Sequence, residues 1–466
     1  MSNGLSGRPP RHRLGRQPRG PLPRLWPVAG PLFGELVLGI SVGVAGTLMA
    51  GRLGEVAGAA FALAVQVAAM LFVLFRIVGA GVSVVVSQAL GAGQRAEADR
   101  VARATLGAAT RIGLACAAVA GLGAEPLLRL MNAAPEVVAQ SAPLLRLMAA
   151  GVLLDAWNTT LASVLRSHLR ARDTLVVNAV VQALHLALAW PLMAAWGLPG
   201  FGVALLLSRG LGFLLFRQLW RRQLGLRPAL ADWWRWPRAT LAPVLHIGLP
   251  GAAENIAWRL AFMVSVAAVG HLGTAALATH AYVMQVMHVL LLFGLATGLA
   301  AEIVVGHLIG AGALREANRL VRQALWRGLV VSAGGATVAA LAGPWLIGLF
   351  SRDPAVVAMG ATLLWLTVLL EAGRTFNLVL VNALRAAGDA QYPVRAGALS
   401  FALVLAGGSW LLGVGLGWGL VGVWLAYAAD EWLRGLLMWR RWRRLGWLPA
   451  ARRMHRRLAA ANRAPG

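Results

Sequence analysis

At 466 residues, 59% of them hydrophobic and only 13% charged, the chain falls far outside the soluble globular class, where about a quarter of residues carry charge. Its formal net charge of +26 comes from arginine alone, since no lysine occurs. The arginines cluster between apolar runs and at the two ends without an aromatic-interleaved basic fold, which fits membrane topology and sets nucleic acid aside as a partner. A single cysteine, Cys116, excludes an internal disulfide and a cysteine-based metal site.

Apolar runs near 20 residues recur along the whole chain, each long enough to cross a hydrocarbon core of about 30 Å, and only helices satisfy that much backbone in lipid. Residues 1–26 hold Arg8, Arg11, Arg13, Arg16, Arg19 and Arg24 among five prolines and read as a disordered basic tail. Spans are expected near 29–50 and 56–90, the second bent at Gly79 and Gly81 and stopped by the Gly91-Ala92-Gly93 turn. Arg95 to Arg103 open a third span that ends near 122, and a fourth follows at 138–166. The basic loop Arg166, Arg170, Arg172 leads to a fifth at 174–196. After the Leu198-Pro199-Gly200 turn, a sixth ends at Arg217–Arg222 and closes a first lobe over 27–222. Residues 223–240, with Trp233, Trp234 and Trp236 beside Arg227, Arg235 and Arg238, form a linker whose tryptophans read as an interfacial anchor. A second lobe over 241–440 repeats the plan with spans near 241–270, 275–309, 316–343, 355–384, 392–416 and 419–438, and 441–466 form a basic tail.

The lobes are duplicates. A shift of 219 residues superposes Gly91-Ala92-Gly93 on Gly310-Ala311-Gly312 and, without a gap, Pro31 on Pro250, Glu35 on Glu254, Gln66 on Gln285 and Gly79 on Gly298. After a shorter loop the shift becomes 216, pairing Asp155 with Glu371 and Asp173 with Asp389. The fold class is therefore all-α integral membrane, with 12 transmembrane helices in two parallel six-helix halves related by an axis along the membrane normal. Six spans per half place both termini, the linker and the arginine-rich loops at 91–103, 166–173, 310–322 and 385–395 on one side, the cytoplasm by the positive-inside rule. The opposite loops carry little beyond Arg52, Arg129 and Arg352.

Intramembrane carboxylates cost at least about 2.5–3.5 kcal/mol on insertion scales and are candidate functional groups. Glu35 and Glu254 lie four residues after a proline near the start of each half; a local ion pair and a transport role both fit them. Asp155 clusters with Asn158 and Thr159, and Glu371, Arg374 and Asn377 recur at three-residue steps along one helix. The i,i+3 spacing lets Glu371 and Arg374 pair, either as a fixed ion pair or as a titrating or cation-binding carboxylate. Gln66, Gln285 and His280 complete the cavity candidates; His280, like His185, His288 and His307, equally suits hydrogen-bonded packing. No histidine pair has metal-ligand spacing, and no Gly-Lys-Ser/Thr loop suggests nucleotide hydrolysis.

In each half the second helix ends in a Gly-Ala-Gly turn (Gln88 to Gly93; Gly306 to Gly312). Glu371-Ala-Gly-Arg374-Thr-Phe-Asn377, followed by Leu384-Arg385-Ala386-Ala387-Gly388-Asp389, is similar to the tenth-helix pattern of a bacterial branch of the multidrug and toxic-compound extrusion (MATE) transporters, a resemblance that covers about 27–440. It implies a monomeric, V-shaped inner-membrane antiporter, not an enzyme, that exports organic cations or amphipathic compounds against sodium or protons by alternating access, with no other cofactor. The family's cation carboxylates of the seventh and tenth helices fall on Glu254 and Glu371. Where many members carry a first-helix aspartate, this chain has Gly46 before Thr47-Leu48-Met49, which shifts the expected coupling to the second half. A flippase for lipid-linked sugars is the rival reading and calls for a cationic cavity, whereas apart from Arg76, Arg259 and Arg374 the mid-span regions are short of positive charge.

Overall fold

The computed structural model describes residues 23–461, apart from the side chains of 72–78, 455 and 457–461, so the tail at 1–22 and the Arg76 side chain lie outside the described residues. Leu25 is already buried and the first helix starts at Trp26, inside the stretch expected to be disordered. Twelve long helices follow: α1 (Trp26–Arg52), α2 (Glu55–Gly91), α3 (Arg95–Leu122), α4 (Pro135–Ser167), α5 (Ala171–Trp196) and α6 (Leu198–Leu224) in the first half. The second half holds α7 (Arg238–His271), α8 (Thr274–Gly310), α9 (Leu314–Leu341), α10 (Pro354–Ala386), α11 (Gln391–Gly415) and α12 (Gly419–Arg443). Ten of them are long and apolar enough to cross a membrane. α2 adds apolar stretches on both sides of 72–78, and α12, although 25 residues long, carries Asp430, Glu431 and Arg434 at its centre.

α2 and α8 stop for the same reason. Gly93 and Gly312 take φ of 75° and 72°, a left-handed turn that a glycine enters without strain. Short helices at Ala124–Leu130 and Gly343–Gly348, not anticipated from hydropathy, bridge the third and fourth helices of each half. The segment after α12 is also helical over Leu448–Ala461; Trp447 stacks on Trp442 with ring centroids 4.5 Å apart, and Leu448 and Ala451 are buried beside them.

The linker corrects one expectation. Trp233 sits edge-on to Trp157 and Phe213 at 5.3 and 5.5 Å, and Arg111 lies over Trp236 while donating to the Trp234 carbonyl at 2.8 Å. Trp233 and Trp236 thus pack the linker onto α3 and α4, and Trp234 alone of the three is largely exposed. An indole that finds aromatic neighbours inside the protein gains more from that contact than from the interface.

The halves share one packing plan. α4 packs against α2, α3 and α6, and α10 packs against α8, α9 and α12. Between halves, α2 meets α8 on the pseudo-twofold axis, flanked by α1 against α8 and α2 against α7. At the end where both termini lie, the hydrophobic clusters mix the halves. Leu25 and, in α1, Val28, Ala29 and Leu32 are buried with α8, α9 and α10, and Leu241, Val244 and Ile247 of α7 are buried with α2, α3 and α4. At the opposite end each cluster belongs to one half only, one built from 50–204 and the other from 261–428. The molecule is a V, joined at the end that carries the termini and parted at the other.

Two hydrogen bonds lock the join. Gln88 Nε2 donates to the carbonyl of Ala386 at 2.6 Å, and His307 Nε2 donates to the carbonyl of Ser167 at 2.8 Å. Adding 219 to 88 and 167 gives 307 and 386, so each bond is the image of the other in the repeat. The shift of 216 expected from Asp155 onward does not hold, because the helices Pro135–Ser167 and Pro354–Ala386 stand 219 apart at both ends, which sets Asp155 opposite Arg374 rather than Glu371.

Candidate functional site

Two polar constellations occupy the interiors of the halves. The first lines a cavity of about 390 Å³ walled by α1, α2, α4, α5 and α6 of the first half and by Leu295, Leu299, Glu302 and Ile303 of α8. Arg166 Nη1 lies 2.7 Å from Glu35 Oε2, and Thr174 Oγ donates to the other oxygen of Glu35. Deeper in, Arg209 Nε lies 2.8 Å from Asp155 Oδ1 without the alignment of a hydrogen bond, and Asn158 Nδ2 donates to the Arg209 carbonyl at 3.0 Å. Both members of the Asp155–Arg209 pair keep about a fifth of their surface exposed (22% and 21%), so water or a ligand reaches them. Glu35 and Asp155 each have their own guanidinium, so these two pairs sum to zero charge, and Glu302 of α8 lines the same cavity.

The second constellation lies between α10 and α12 and is dry. Arg374 Nη1 is 2.5 Å from Glu371 Oε1, and Arg374 Nε is 3.4 Å from Glu431 Oε1. Asn377 Nδ2 donates to Glu431 Oε2 at 2.9 Å. Arg434 bridges Glu431 at 2.8 Å and Asp430 at 2.6 Å, with its guanidinium 4.7 Å from the Phe401 ring centre, and Ser400 Oγ donates to Asp430 at 2.6 Å. The side chains of Glu371 and Asp430 are each only 2% exposed. Glu254, bound to Arg385 at 2.6 Å, is close enough to act electrostatically on Arg434, and His288 of α8 likewise reaches Arg374. Here three carboxylates (Glu371, Asp430, Glu431) face two guanidinia (Arg374, Arg434), while Glu254 and Arg385 cancel. With every group ionised the cluster carries one surplus negative charge.

The sequence candidates therefore separate. Glu35, Asp155 and Asn158 meet in the first-half cavity, and Glu371, Arg374 and Asn377 in the second-half cluster. The i,i+3 pairing of Glu371 with Arg374 is present as the spacing predicted. Glu254 takes the local-pair alternative, as does its repeat partner Glu35; both bonds span 131 residues, from the first helix of a half to the end of its fourth. Gln66 and Gln285 are exposed and join neither constellation. His280 is buried against Trp424 and Phe262 with Nε2 3.1 Å from the Tyr427 hydroxyl, which accepts from Ser265 Oγ at 2.9 Å: the packing alternative. Gly46 has no room for an acidic side chain, because a Cβ there would meet Phe61 at 2.8 Å and Phe201 at 2.9 Å.

Sequence reasoning missed Arg209, Asp430, Glu431 and Arg434. It also undercounted cations within the spans, since Arg209 and Arg434 lie there too. Charge inside a spanning helix was the available signal: Arg209 interrupts an otherwise apolar α6, and the spacing of Asp430, Glu431 and Arg434 in α12 is that of helical ion pairs.

Two repeated six-helix halves, joined at one end and parted at the other around buried ion pairs, define a multi-pass membrane transporter. The chain belongs to the MATE family: the MatE family model matches residues 31–191 and, one repeat on, 250–411. It is 30% identical to the uncharacterized transporter YisQ of Bacillus subtilis over 430 residues, 91% of this chain and 94% of that protein. It is 27% identical to the multidrug resistance protein PmpM of Pseudomonas aeruginosa, with 80% of each covered. In fold it resembles the Vibrio cholerae MATE transporter VcmN in its bent form (TM-score 0.83, 19% identity, 92% of this chain and 97% of that one). It equally resembles an outward-facing multidrug resistance MATE family transporter (TM-score 0.82, 17% identity, 95% and 96%).

Proposed function

We propose that the chain is a proton-coupled multidrug efflux transporter of the inner membrane, working as a monomer with both termini in the cytoplasm and its V open to the outside. The surplus carboxylate of the α10–α12 cluster carries this reading. A dry group of three acids and two guanidinia needs one further positive charge, because an uncompensated buried anion is costly. Glu371, held by one nitrogen of Arg374 while Asp430 takes two from Arg434 and a hydroxyl from Ser400 and Glu431 meets both arginines, is the acid to receive it. A proton suits the site better than sodium, since the oxygens already hold guanidinium donors and a metal ion would sit against fixed positive charge. The first-half cavity, neutral in its ion pairs and walled by Leu and Val side chains, suits amphipathic or cationic organic compounds. Its arginines are neutralised by Glu35 and Asp155, which argues against the pyrophosphate of a lipid-linked sugar, and the relatives named for multidrug resistance favour drug export.

The test is efflux of a fluorescent organic cation from proteoliposomes under an imposed proton or sodium gradient. Glu371→Gln is expected to lower proton-driven efflux by about tenfold or more, a loss of about 1.4 kcal/mol, while gradient-free exchange of substrate continues. Efflux that follows sodium instead assigns the site to that ion, and unchanged proton-driven efflux in Glu371→Gln overturns the assignment.

A further inference from the structure

α9 carries four arginines in little more than three turns, Arg315, Arg319, Arg322 and Arg327, along one exposed strip with Gln323 and Trp326, and together they line a shallow groove of about 490 Å³. None of the four makes an ion pair among the described residues, and the helix has one carboxylate, Glu316. Like charges at i,i+4 and i,i+3 repel one another, so the strip is under electrostatic strain that an anionic partner would relieve.

The repeat shows what is peculiar here. The matching positions on α3 are Ala104, Gly107 and Ala108 for Gln323, Trp326 and Arg327. That face is covered by the linker: a Cβ on Gly107 would fall 1.9 Å from the Arg235 carbonyl oxygen. Arg100, which matches Arg319, is paired with Glu97 at 2.9 Å. On α9 no described segment takes the place of the linker, and Trp326 stays 70% exposed. Behind the strip, the Trp442 indole donates to Asn318 at 2.9 Å and ties α9 to α12. Further along the same helix Val330, Val331, Val338 and Leu341 are exposed, an apolar surface of the kind that faces acyl chains. The groove therefore lies where a lipid-facing stripe meets an arginine cluster, with an indole at the boundary, as at the headgroup level of a bilayer.

We propose that this α9 groove binds an anionic phospholipid of the leaflet on the terminus side. The guanidinia hold the phosphodiester, Gln323 reaches the polar headgroup, and an acyl chain runs past Trp326 along Val330 and Val331. Arginine favours a phosphate because its planar fork donates two parallel hydrogen bonds.

The test uses the full-length transporter in detergent micelles with added phosphatidylglycerol or cardiolipin, counting retained lipid by native mass spectrometry. Arg319→Gln/Arg322→Gln is expected to weaken anionic-lipid binding about 30-fold, roughly fivefold per arginine at a membrane surface. Phosphatidylcholine retention should not change. Arg443→Gln/Arg444→Gln, which removes two exposed arginines at the end of α12, should leave binding within about twofold. Equal losses in the two double variants would mean that net charge alone attracts the lipid, and full retention in Arg319→Gln/Arg322→Gln would sink the site. Displacement of the lipid by millimolar inorganic phosphate would show a free-anion site and overturn the assignment to a lipid.

Discussion

Gly310→Ala is expected to hold the terminus-side join open and to abolish transport. A Cβ on Gly310 would lie 2.0 Å from the Gln88 carbonyl oxygen and 3.0 Å from the Ala92 nitrogen. Its repeat partner Gly91 is just as tight, 2.1 Å from the His307 carbonyl oxygen. These obstacles are backbone, so no rotamer change clears them, and α2 and α8 must move apart. Overpacking costs about 1–3 kcal/mol and more against main chain, enough to depopulate the closed join by about tenfold to over a hundredfold. Opening also breaks the Gln88–Ala386 and His307–Ser167 bonds and exposes the buried leucines and valines of α1 and α7. The measurement is maleimide labelling of Ser87→Cys in a Cys116→Ala background. Ser87 is fully buried at the α2–α8 contact, so labelling should be slow, and faster by at least about tenfold once Gly310→Ala is added. Equal labelling rates with intact transport would mean that the seal does not rest on these glycines.

Arg434→Leu is expected to have the largest effect on stability. It leaves Asp430 and Glu431, both buried and adjacent, without their shared guanidinium. Breaking a buried pair from one side costs about 3–5 kcal/mol, and here two like charges are left facing each other. In detergent the variant should unfold at a temperature lower by on the order of 10 °C. Arg209→Leu, whose carboxylate partner faces the cavity and keeps some water, should lose less than half as much. Removing the whole group in Asp430→Asn/Glu431→Gln/Arg434→Leu should recover most of the loss, because no unpaired charge remains. If Arg434→Leu and Arg209→Leu lose the same amount, burial does not govern these pairs.

Much of the fold was legible in the sequence because lipid makes the reading simple. Each span had to be long, apolar and helical, and the 219-residue repeat fixed both the number of spans and their parallel arrangement. Glu371 and Arg374 were readable for a local reason, since i,i+3 residues on one helix meet without reference to the rest of the fold. The partners from other helices were not. Nothing in the neighbourhood of Asp155 says that Arg209, 54 residues on, turns toward it, and α12 was read as an apolar span although its charges point into the cluster. Trp233 failed for a related reason: a tryptophan in a basic linker looks like an anchor until α4 and α6 present Trp157 and Phe213. The cavity depends on how far five helices of one half stand from α8 of the other, a distance no single segment encodes.

The crossed bonds bear on where such a chain comes from. Gln88 reaches Ala386 and His307 reaches Ser167, and the positions map onto each other under the same shift that relates the halves. A contact of that form is isologous, the kind that two identical six-helix subunits make when they associate about a twofold axis. Glutamine and histidine both present an Nε2 donor at similar reach, so the two copies of one ancestral donor can diverge in side chain and still offer the same hydrogen to the same carbonyl. The seam between the halves reads as a former subunit interface, which a later fusion of two genes turned into the interior of one chain.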